Sequence, residues 1–449
     1  MRAKLNTFSK IGFVLSVAGG AIGLGNAWKF PTLVGENGGF FFVLLYLFFA
    51  IFVGLALFLA ELAMGRLSGS DLANAYESLA VKNGKKWRFA GLSMLTGIFV
   101  LSFYLVVMAW ALRYMWVSLF YLPSSLDEAK IDFQNLISTE LYSSFLFFII
   151  SFLLTIFIVS KGIIKGIERL NLILMPTLFI MLLFLLFYCF SFEKGFSQAF
   201  SYLFYPKLEN LSFSSALNAL GLALFTLCLG IGCIVTYSAS LNSKTNFITS
   251  SLVVVFLNVL ISLLMGLIVF TFIFEFDVKV DEQGSSLVFI SLMSLFYNLG
   301  YLGNFLAFYF FLALFLAGIS SAVSMIEPLT FYLINEYKFS RKKALFFLSF
   351  LVFALSCACI LSINKDFSSF FSFFSYDFFT ILDKFSSNIL LPLGSLLVAI
   401  FVGFFVDVKK IYKLFSKFMS KKVFKIWLFC LRFVAVFAIL ITMIYQIFV

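Results

Sequence analysis

The chain contains no histidine and few charged side chains. Its 449 residues include 32 Lys or Arg and 21 Asp or Glu, together 12% of the sequence, whereas 63% are hydrophobic. This composition excludes an ordinary soluble globular protein. Because histidine is absent and all six cysteines lie inside apolar stretches, no zinc or redox motif is present, and the cysteines are expected to be structural thiols.

The scarcity of reactive side chains also limits the function. The polar residues within the apolar stretches offer no nucleophile–base pair, so we do not expect an enzyme. An ion channel is not expected either, because the sequence has no charged ring or repeated filter. The net charge of +11 could indicate nucleic-acid binding, but the basic residues follow the loops between apolar stretches and therefore report membrane topology.

Long apolar stretches are what the sequence has in abundance. Each is about 20 residues long, the length of a helix that crosses the ~30 Å hydrocarbon core, and none alternates like a barrel strand. They predict an all-α polytopic membrane protein forming one domain, 1–449. The eleven predicted spans are 11–34, 40–64, 90–121, 143–160, 170–191, 213–240, 246–276, 303–334, 343–362, 386–407 and 424–448.

Basic residues predict the orientation of these spans. If the amino terminus is cytoplasmic, the segments on its side hold 23 Lys or Arg and the opposite loops hold six. The positive-inside rule then predicts a cytoplasmic amino terminus, and the odd number of spans predicts an external carboxyl terminus. The first apolar run has no small-residue cleavage signature, so we expect it to remain as a helix.

Glycines interrupt two spans at corresponding places, 19–25 in the first and 230–232 in the sixth. Two interrupted helices five spans apart are typical of an inverted-repeat transporter with its site at the bilayer midplane. Close helix packing would also explain these glycines, and glycine alone does not decide between the two interpretations. If the helices are unwound, the freed carbonyls can bind a cation and the freed N–H groups an anion; an amino acid with sodium fits both.

Longer motifs carry a resemblance to a known family. They are GGAIGLGNAWKFP at 19–31, GENGG at 35–39, ELAMGR at 61–66, KGIERLNLILMPTLF at 165–179, LFTLCLGIG at 224–232, LFLAGISSAVSMIEP at 314–328 and LDKFSSNILLPLG at 382–394. In this order, across nearly the whole chain, the sequence resembles the neurotransmitter:sodium symporter family, in its bacterial eleven-helix amino-acid transporter branch.

The resemblance implies a leucine-transporter-like fold in the bacterial inner membrane. Its 5+5 inverted repeat would have helices 1 and 6 unwound at the midplane. The first repeat would cover about 8–191, the second about 210–408, and a peripheral last helix about 424–448. The implied activity is import of an amino acid with sodium by alternating access.

Two sodium sites are implied. The first would use the carbonyl of Ala21 with Asn26, Thr226 and Asn258, and the second the carbonyls of Gly19, Ile22 and Ala317 with the hydroxyls of Ser320 and Ser321. Neutral oxygen ligands of this kind suit an alkali cation.

Gly23 indicates the substrate class. Family members that carry cationic amines place an acidic side chain there, whereas glycine leaves room for the carboxylate of the substrate itself. The rest of the implied pocket has no formal charge, so a neutral, hydrophobic amino acid is expected. The implied substrate-binding residues are Ala21, Gly23, Leu24, Gly25, Val100, Tyr104, Phe225, Thr226, Cys228, Ile231, Ser321 and Met325.

The sequence departs from the family at both gates. The outer gate would be Lys29 and Asp383, which keeps the charges but loses the bidentate fork of an arginine. Leu222 replaces a family glutamine near this gate. At the cytoplasmic gate, Lys4, Ser240 and Asn335 stand where Arg, Tyr and Asp are commoner, with Glu336 available as a substitute.

Other membrane-embedded polar residues have separate expectations. A chloride site would use Tyr46, Thr226 and Ser262, with Leu222 removing the fourth ligand. The resemblance implies that Glu61, an acid embedded in the second helix, is a structural bridge to the unwound parts of helices 1 and 6. Arg113 and Arg432 are expected to snorkel to the membrane surface and are assigned no role in transport.

Two other functions stay open from the sequence. One is sodium-coupled transport of another small zwitterion or amine. The other is a non-transporting amino-acid sensor with the same fold, which the altered cytoplasmic gate keeps open.

Overall fold

The computed structural model describes residues 8–206, 212–241, 245–276, 287–373 and 376–448. Within these ranges nine helices are long and apolar enough to cross a membrane. Lys10–Ala21 and Gly25–Glu36 together form a tenth span, bent by 49° at its break. Phe213–Thr226 and Cys233–Ala239, each too short to cross alone, flank a second break. Taken as one broken span, this pair gives the eleven spans expected from the sequence.

The spans are numbered here along the chain. Span 1 is Lys10–Ala21 with Gly25–Glu36, and span 6 is Phe213–Thr226 with Cys233–Ala239. The others are span 2 Phe40–Ser68, span 3 Gly84–Val117, span 4 Leu141–Ser160, span 5 Ile163–Cys189, span 7 Phe247–Glu275, span 8 Tyr301–Tyr337, span 9 Arg341–Ile363, span 10 Phe378–Phe405 and span 11 Lys421–Tyr445.

Shorter elements connect the spans. They are the helices Leu72–Leu79, Leu126–Ser138, Glu193–Phe204, Leu287–Tyr297 and Val408–Phe415, and one small antiparallel hairpin of Ser372–Phe373 and Tyr376–Asp377. The apolar-run analysis did not predict these elements, because it detects only segments long enough to span the membrane.

Burial separates a central group of helices from a lipid-facing group. In spans 3 and 8, 78% of the most apolar window is buried, and these two helices pack against each other. The corresponding value is 33% for span 4 and 28% for span 11. Spans 3 and 8 therefore form the middle of the bundle, and most of the surface of span 11 faces away from the protein.

Local backbone geometry explains the breaks in spans 1 and 6. Ile22 ends the first half of span 1 in an extended conformation. In span 6, Cys228, Gly230 and Gly232 have φ of 56°, 81° and 82°. Gly230 could not be replaced without strain, because a Cβ there would lie 2.7 Å from the Leu391 carbonyl oxygen of span 10. The glycines of span 6 thus permit a left-handed, closely packed break rather than ordinary helix contacts.

Arg113 differs from its expected role. Its side chain is buried instead of reaching the surface, and its two terminal nitrogens contact the carboxylate of Asp132 at 2.6 and 2.8 Å. Asp132 lies on the connecting helix Leu126–Ser138. The arginine therefore anchors this connection to span 3 through a bidentate ion pair. Arg432 donates to the Gly403 carbonyl oxygen at 2.6 Å, which ties span 11 to span 10.

Candidate functional site

The break in span 1 lies against Tyr104 of span 3. The Leu24 N–H donates to the Tyr104 hydroxyl at 2.9 Å, and the Gly23 N–H donates to Asn26 Oδ1 at 3.0 Å. A Cβ on Gly23 would lie 2.3 Å from both Tyr104 Oη and Ser321 Oγ. Glycine is therefore the residue that allows the unwound backbone to approach both hydroxyls.

Five oxygens meet between this break and span 8. Ser321 Oγ lies 3.0 Å from the Gly19 carbonyl oxygen and 3.2 Å from that of Ile22. Ser320 Oγ lies 2.8 Å from the Ala317 carbonyl oxygen and 3.4 Å from that of Ile22. These are the five residues that the sequence assigned to a second sodium, and their oxygens form one buried cluster.

A second polar cluster joins spans 1, 2, 6 and 7. Asn26 Nδ2 donates to the side-chain oxygens of Asn258 and Ser262, both at 2.8 Å. Asn258 Nδ2 donates to Thr226 Oγ1 at 3.3 Å, and Tyr46 Oη lies 3.1 and 3.2 Å from Ser262 Oγ and Thr226 Oγ1. The side chains expected for the first sodium and for chloride therefore belong to one network, and all five are buried. Ala21, whose carbonyl was expected here, is the last residue before the break.

The remaining residues expected to line the pocket are buried as well. None is more than 9% exposed, and Phe225 is the most accessible of them. Gly25 is held against this ring, since a Cβ there would lie 2.8 Å from Phe225 Cδ1. The other members are Val100, Cys228, Ile231 and Met325.

Lys29 and Asp383 close one end of this pocket. Lys29 Nζ contacts Asp383 Oδ1 at 2.6 Å and Ser387 Oγ at 3.1 Å. The same ammonium lies 4.4 Å from the centre of the Phe225 ring, a distance at which a cation is attracted to the ring face. Ser387 and Phe225 thus give the lysine two contacts in addition to its single carboxylate oxygen.

A cavity of about 370 Å³ is lined by this ion pair. Phe225 and Leu222 line it as well, whereas Tyr104 and the oxygen cluster do not. The gate residues and Phe225 therefore separate this cavity from the buried pocket. Leu222 gives the cavity an apolar wall where a family glutamine was expected.

Glu61 fulfils half of its expected role. The Gly230 N–H at the break of span 6 donates to Glu61 Oε1 at 2.7 Å. No hydrogen bond joins Glu61 to span 1 within the described ranges, and there its second oxygen has no hydrogen-bond partner. The carboxylate thus supports the unwound part of span 6.

At the opposite end of the bundle, the expected gate residues Ser240, Asn335 and Glu336 meet partners that the sequence did not identify. Glu336 pairs with Arg88 at 2.5 Å, and Arg88 also contacts Glu77 at 2.9 Å. Asn335 donates to Asp71 at 3.2 Å. The Ser240 carbonyl oxygen accepts a hydrogen bond from the Phe8 N–H. Lys4, the basic residue expected at this gate, lies outside the described residues. Arg88 therefore supplies the basic partner of Glu336.

Sequence reasoning missed Asn171 of span 5. It is fully buried, and its Oδ1 has no hydrogen-bond partner in the part of the chain that the structure describes. A Cβ on Gly19 would lie 2.1 Å from this oxygen. Asn171 thus borders the residue whose carbonyl belongs to the five-oxygen cluster. The sequence feature that could have identified Asn171 is a polar amide side chain inside an apolar span.

Comparison with known proteins shows similarity to sodium-dependent transporters over nearly the whole chain. The sequence model of the sodium:neurotransmitter symporter family matches residues 5–135 and 137–449. An uncharacterized sodium-dependent transporter of Bacillus subtilis is 32% identical over 96% of this chain and 95% of its own length. A second uncharacterized sodium-dependent transporter, from Haemophilus influenzae, is 30% identical over 98% of this chain and 97% of its own length.

A solved structure is also similar over the full length. The crystal structure of MhsT in complex with L-phenylalanine matches with a TM-score of 0.90 and 31% identity, covering 98% of this chain and 99% of that one. This agreement, together with the helices described above, establishes the fold expected from the sequence.

The Gly23 contact generates a stability prediction. Gly23→Ala would place a methyl group within 2.3 Å of two hydroxyl oxygens. Such overpacking costs about 1–3 kcal/mol, so the midpoint of thermal unfolding of the purified protein should fall.

Gly221→Ala is the matched control. Gly221 lies inside the Phe213–Thr226 helix, where an added Cβ would meet nothing within 4 Å. Alanine favours a helix over glycine by about 1 kcal/mol, so this midpoint should stay or rise. Equal midpoints for the two variants would show that Gly23 is not tightly enclosed.

Proposed function

The chain belongs to the sodium:neurotransmitter symporter family, and from that premise we propose that it imports a neutral, hydrophobic amino acid together with sodium. The family consists of transporters and not enzymes, and this chain is a sodium-dependent, multi-pass membrane symporter. The identity of the substrate is the part that we propose.

The observation that carries this proposal is the enclosure around Gly23. The unwound backbone of Leu24 and the hydroxyl of Tyr104 offer polar contacts to a carboxylate, while Phe225, Val100, Ile231 and Met325 supply apolar walls. None of the substrate-pocket residues carries a formal charge that could pair with a lone amine, and a side chain on residue 23 would collide with Tyr104 and Ser321. An amino acid satisfies such a site better than a monoamine, and MhsT was solved with L-phenylalanine.

Two sodium ions travel with the substrate in this proposal. The first is held by Ala21, Asn26, Thr226 and Asn258, with the substrate carboxylate as a further ligand. The second is held by the five-oxygen cluster of Gly19, Ile22, Ala317, Ser320 and Ser321. Both sets consist of neutral oxygens suited to an alkali cation. Because the substrate carboxylate is itself a ligand of the first sodium ion, bound substrate raises the affinity of the protein for sodium, and bound sodium raises its affinity for the substrate.

The hydrogen bonds between spans support transport by alternating access. Spans 1, 2, 6 and 7 are joined through Asn26, Tyr46, Thr226 and Asn258, and Glu61 adds a link between spans 2 and 6. These four helices would rock as one body against spans 3 and 8. The second sodium lies where span 1 meets span 8, so its binding stabilises one arrangement of the two bodies.

Orientation and domain limits complete the proposal. The chain lies in the inner membrane of a bacterium, with the Arg88–Glu336 end cytoplasmic and the Lys29–Asp383 gate external. The positive-inside distribution of basic residues supports this orientation. The single domain, 1–449, comprises repeats at about 8–191 and 210–408 and a peripheral helix at about 424–448, for which the low burial of span 11 is the supporting observation.

Uptake into proteoliposomes tests the proposed substrate. Radiolabelled amino acids are offered with an inward sodium gradient and, separately, with potassium in its place. We expect saturable accumulation of an apolar amino acid only with sodium. Binding without accumulation would indicate the sensor instead, and preferential uptake of a monoamine would contradict the assignment based on Gly23.

Ser321→Ala tests the second sodium site. It removes a hydroxyl that contacts two carbonyl oxygens of span 1. Hydrogen bonds and ligands to charged groups contribute roughly 1.5–3 kcal/mol, so the sodium concentration for half-maximal uptake should rise about tenfold or more. Thr330→Ala is the control, because that buried hydroxyl of the same helix hydrogen-bonds, among the residues that the structure describes, to the Ile326 carbonyl oxygen alone. An unchanged sodium requirement in Ser321→Ala would remove this residue from the site.

Chloride coupling is tested at Ser262. Its hydroxyl lies with those of Tyr46 and Thr226 in the network of Asn258. A carboxylate at this position would provide the negative charge that chloride otherwise supplies. Ser262→Glu should therefore abolish any chloride dependence of uptake measured against gluconate. The same chloride response in the variant and the original chain would exclude Ser262 as a ligand.

A further inference from the structure

The connection between spans 10 and 11 contains an unusual concentration of lysine. Seven lysines, and no other basic residue, occur between 409 and 425. They lie on the helix Val408–Phe415, on the turn after it and on the first turns of span 11. The helix is amphipathic, because Ile411 and Phe415 are fully buried whereas its lysines are exposed.

Three of these lysines face a common cavity. Lys410, Lys413 and Lys417 line an open space of about 740 Å³. The opposite wall comes from the end of span 2 and from the helix Leu72–Leu79. Its polar residues are Ser68, Ser70, Asn74, Glu77 and Ser78.

The two walls of this lysine cavity are fixed to each other. Ala80 and Val406 form an antiparallel bridge, and the Val81 N–H donates to the Phe405 carbonyl oxygen at 2.9 Å. Trp87 packs against the ring of Phe405 with 4.6 Å between centroids. The lysines therefore lie on a wall whose position is set by backbone contacts.

In the part of the chain that the structure describes, the three lysines form no ion pair with an acidic side chain. Glu77 is the one carboxylate among the residues lining the cavity, and its Oε2 contacts Arg88 at 2.9 Å. The cavity thus carries an excess of positive charge with hydroxyl groups facing it.

The position of the cavity favours a ligand from the membrane over a ligand from solution. Span 2 ends at Ser68, span 10 ends at Phe405 and span 11 begins at Lys421, so the cavity lies where three spans leave the apolar layer. Leu67, Leu79 and Leu414 add apolar lining next to the lysines. A lipid offers both a phosphate for the lysines and a glycerol and acyl region for the leucines, whereas a soluble phosphate offers only the first.

We propose that the lysine cavity binds the headgroup of an anionic phospholipid. Lys410, Lys413 and Lys417 pair with its phosphate, and the serine hydroxyls opposite contact the polar part of the headgroup. Basic residues close to a membrane surface, and basic pockets between helices, recognise such lipids by this combination of charge and location. None of the three lysines belongs to the proposed substrate pocket or sodium sites, so the proposal does not depend on the proposed substrate.

Native mass spectrometry of the full-length protein tests the proposal. The protein is exchanged into mixtures of phosphatidylglycerol and phosphatidylcholine, and the lipids that stay bound are counted. The triple variant K410Q/K413Q/K417Q should retain about tenfold less phosphatidylglycerol than the original chain, because each lysine contributes to the attraction of the anionic headgroup.

Two matched variants separate this site from general surface charge. K421Q/K422Q/K425Q removes the same charge from the same connection but outside the cavity, and it should retain the lipid. K410R/K413R/K417R keeps the charge inside the cavity and should also retain it, which excludes a folding defect at these positions. Equal losses in the two glutamine triples, or no loss in either, would overturn the proposal.

A competition arm distinguishes the lipid from a soluble phosphate. Glycerol phosphate is added at increasing concentration to the protein with phosphatidylglycerol bound. The lipid should remain, because its acyl region contacts apolar lining that the soluble compound does not use. Displacement by equimolar glycerol phosphate would assign the cavity to soluble phosphates and overturn the assignment to lipid.

Discussion

The constraint on which this structure depends is the requirement that freed backbone groups find partners inside an apolar layer. Two helices are interrupted in the middle of the bundle, and each unpaired amide or carbonyl there would cost several kcal/mol. Glu61 accepts from the Gly230 N–H, Tyr104 accepts from the Leu24 N–H, and the hydroxyls of Ser320 and Ser321 lie at the carbonyl oxygens of span 1. The polar residues at the centre of the bundle are thus those that an unwound backbone requires.

The two ends of the bundle are closed by different means. At one end the gate has a single lysine–carboxylate contact, and Lys29 gains further contacts from Ser387 and the ring of Phe225. The aromatic ring is also a wall of the pocket, so gate and pocket share a residue. At the other end Arg88 pairs with both Glu77 and Glu336, which lie on different elements. Both closures use ordinary ion pairs at partly exposed positions, and such contacts can break and reform because their net contribution to stability is small.

The sequence predicted most of the fold, because long apolar stretches report the length of a spanning helix directly. The resemblance to a known family named the candidate sodium ligands, among them Asn26, Asn258, Ser320 and Ser321, and their roles remain predictions. Prediction was weaker for contacts between segments. Glu336 was expected to compensate for Asn335, but its partner Arg88 lies 248 positions earlier, and no periodicity connects the two. Arg113 was expected to reach the membrane surface, and its ion pair with Asp132 was not predicted. The reason is that Asp132 lies on a connecting helix, which apolar patterning does not detect.

By itself, the sequence determined the membrane class, the expected number and orientation of the spans and the family to which the chain is similar, because these follow from hydropathy, basic residues and motif order along one dimension. Only the tertiary structure decided which atoms meet. It brought five oxygens of spans 1 and 8 within hydrogen-bond distance, enclosed Gly23 between two hydroxyls, and gathered three lysines around one cavity. The physical reason is that these contacts join residues hundreds of positions apart, and the packing of whole helices sets their distances.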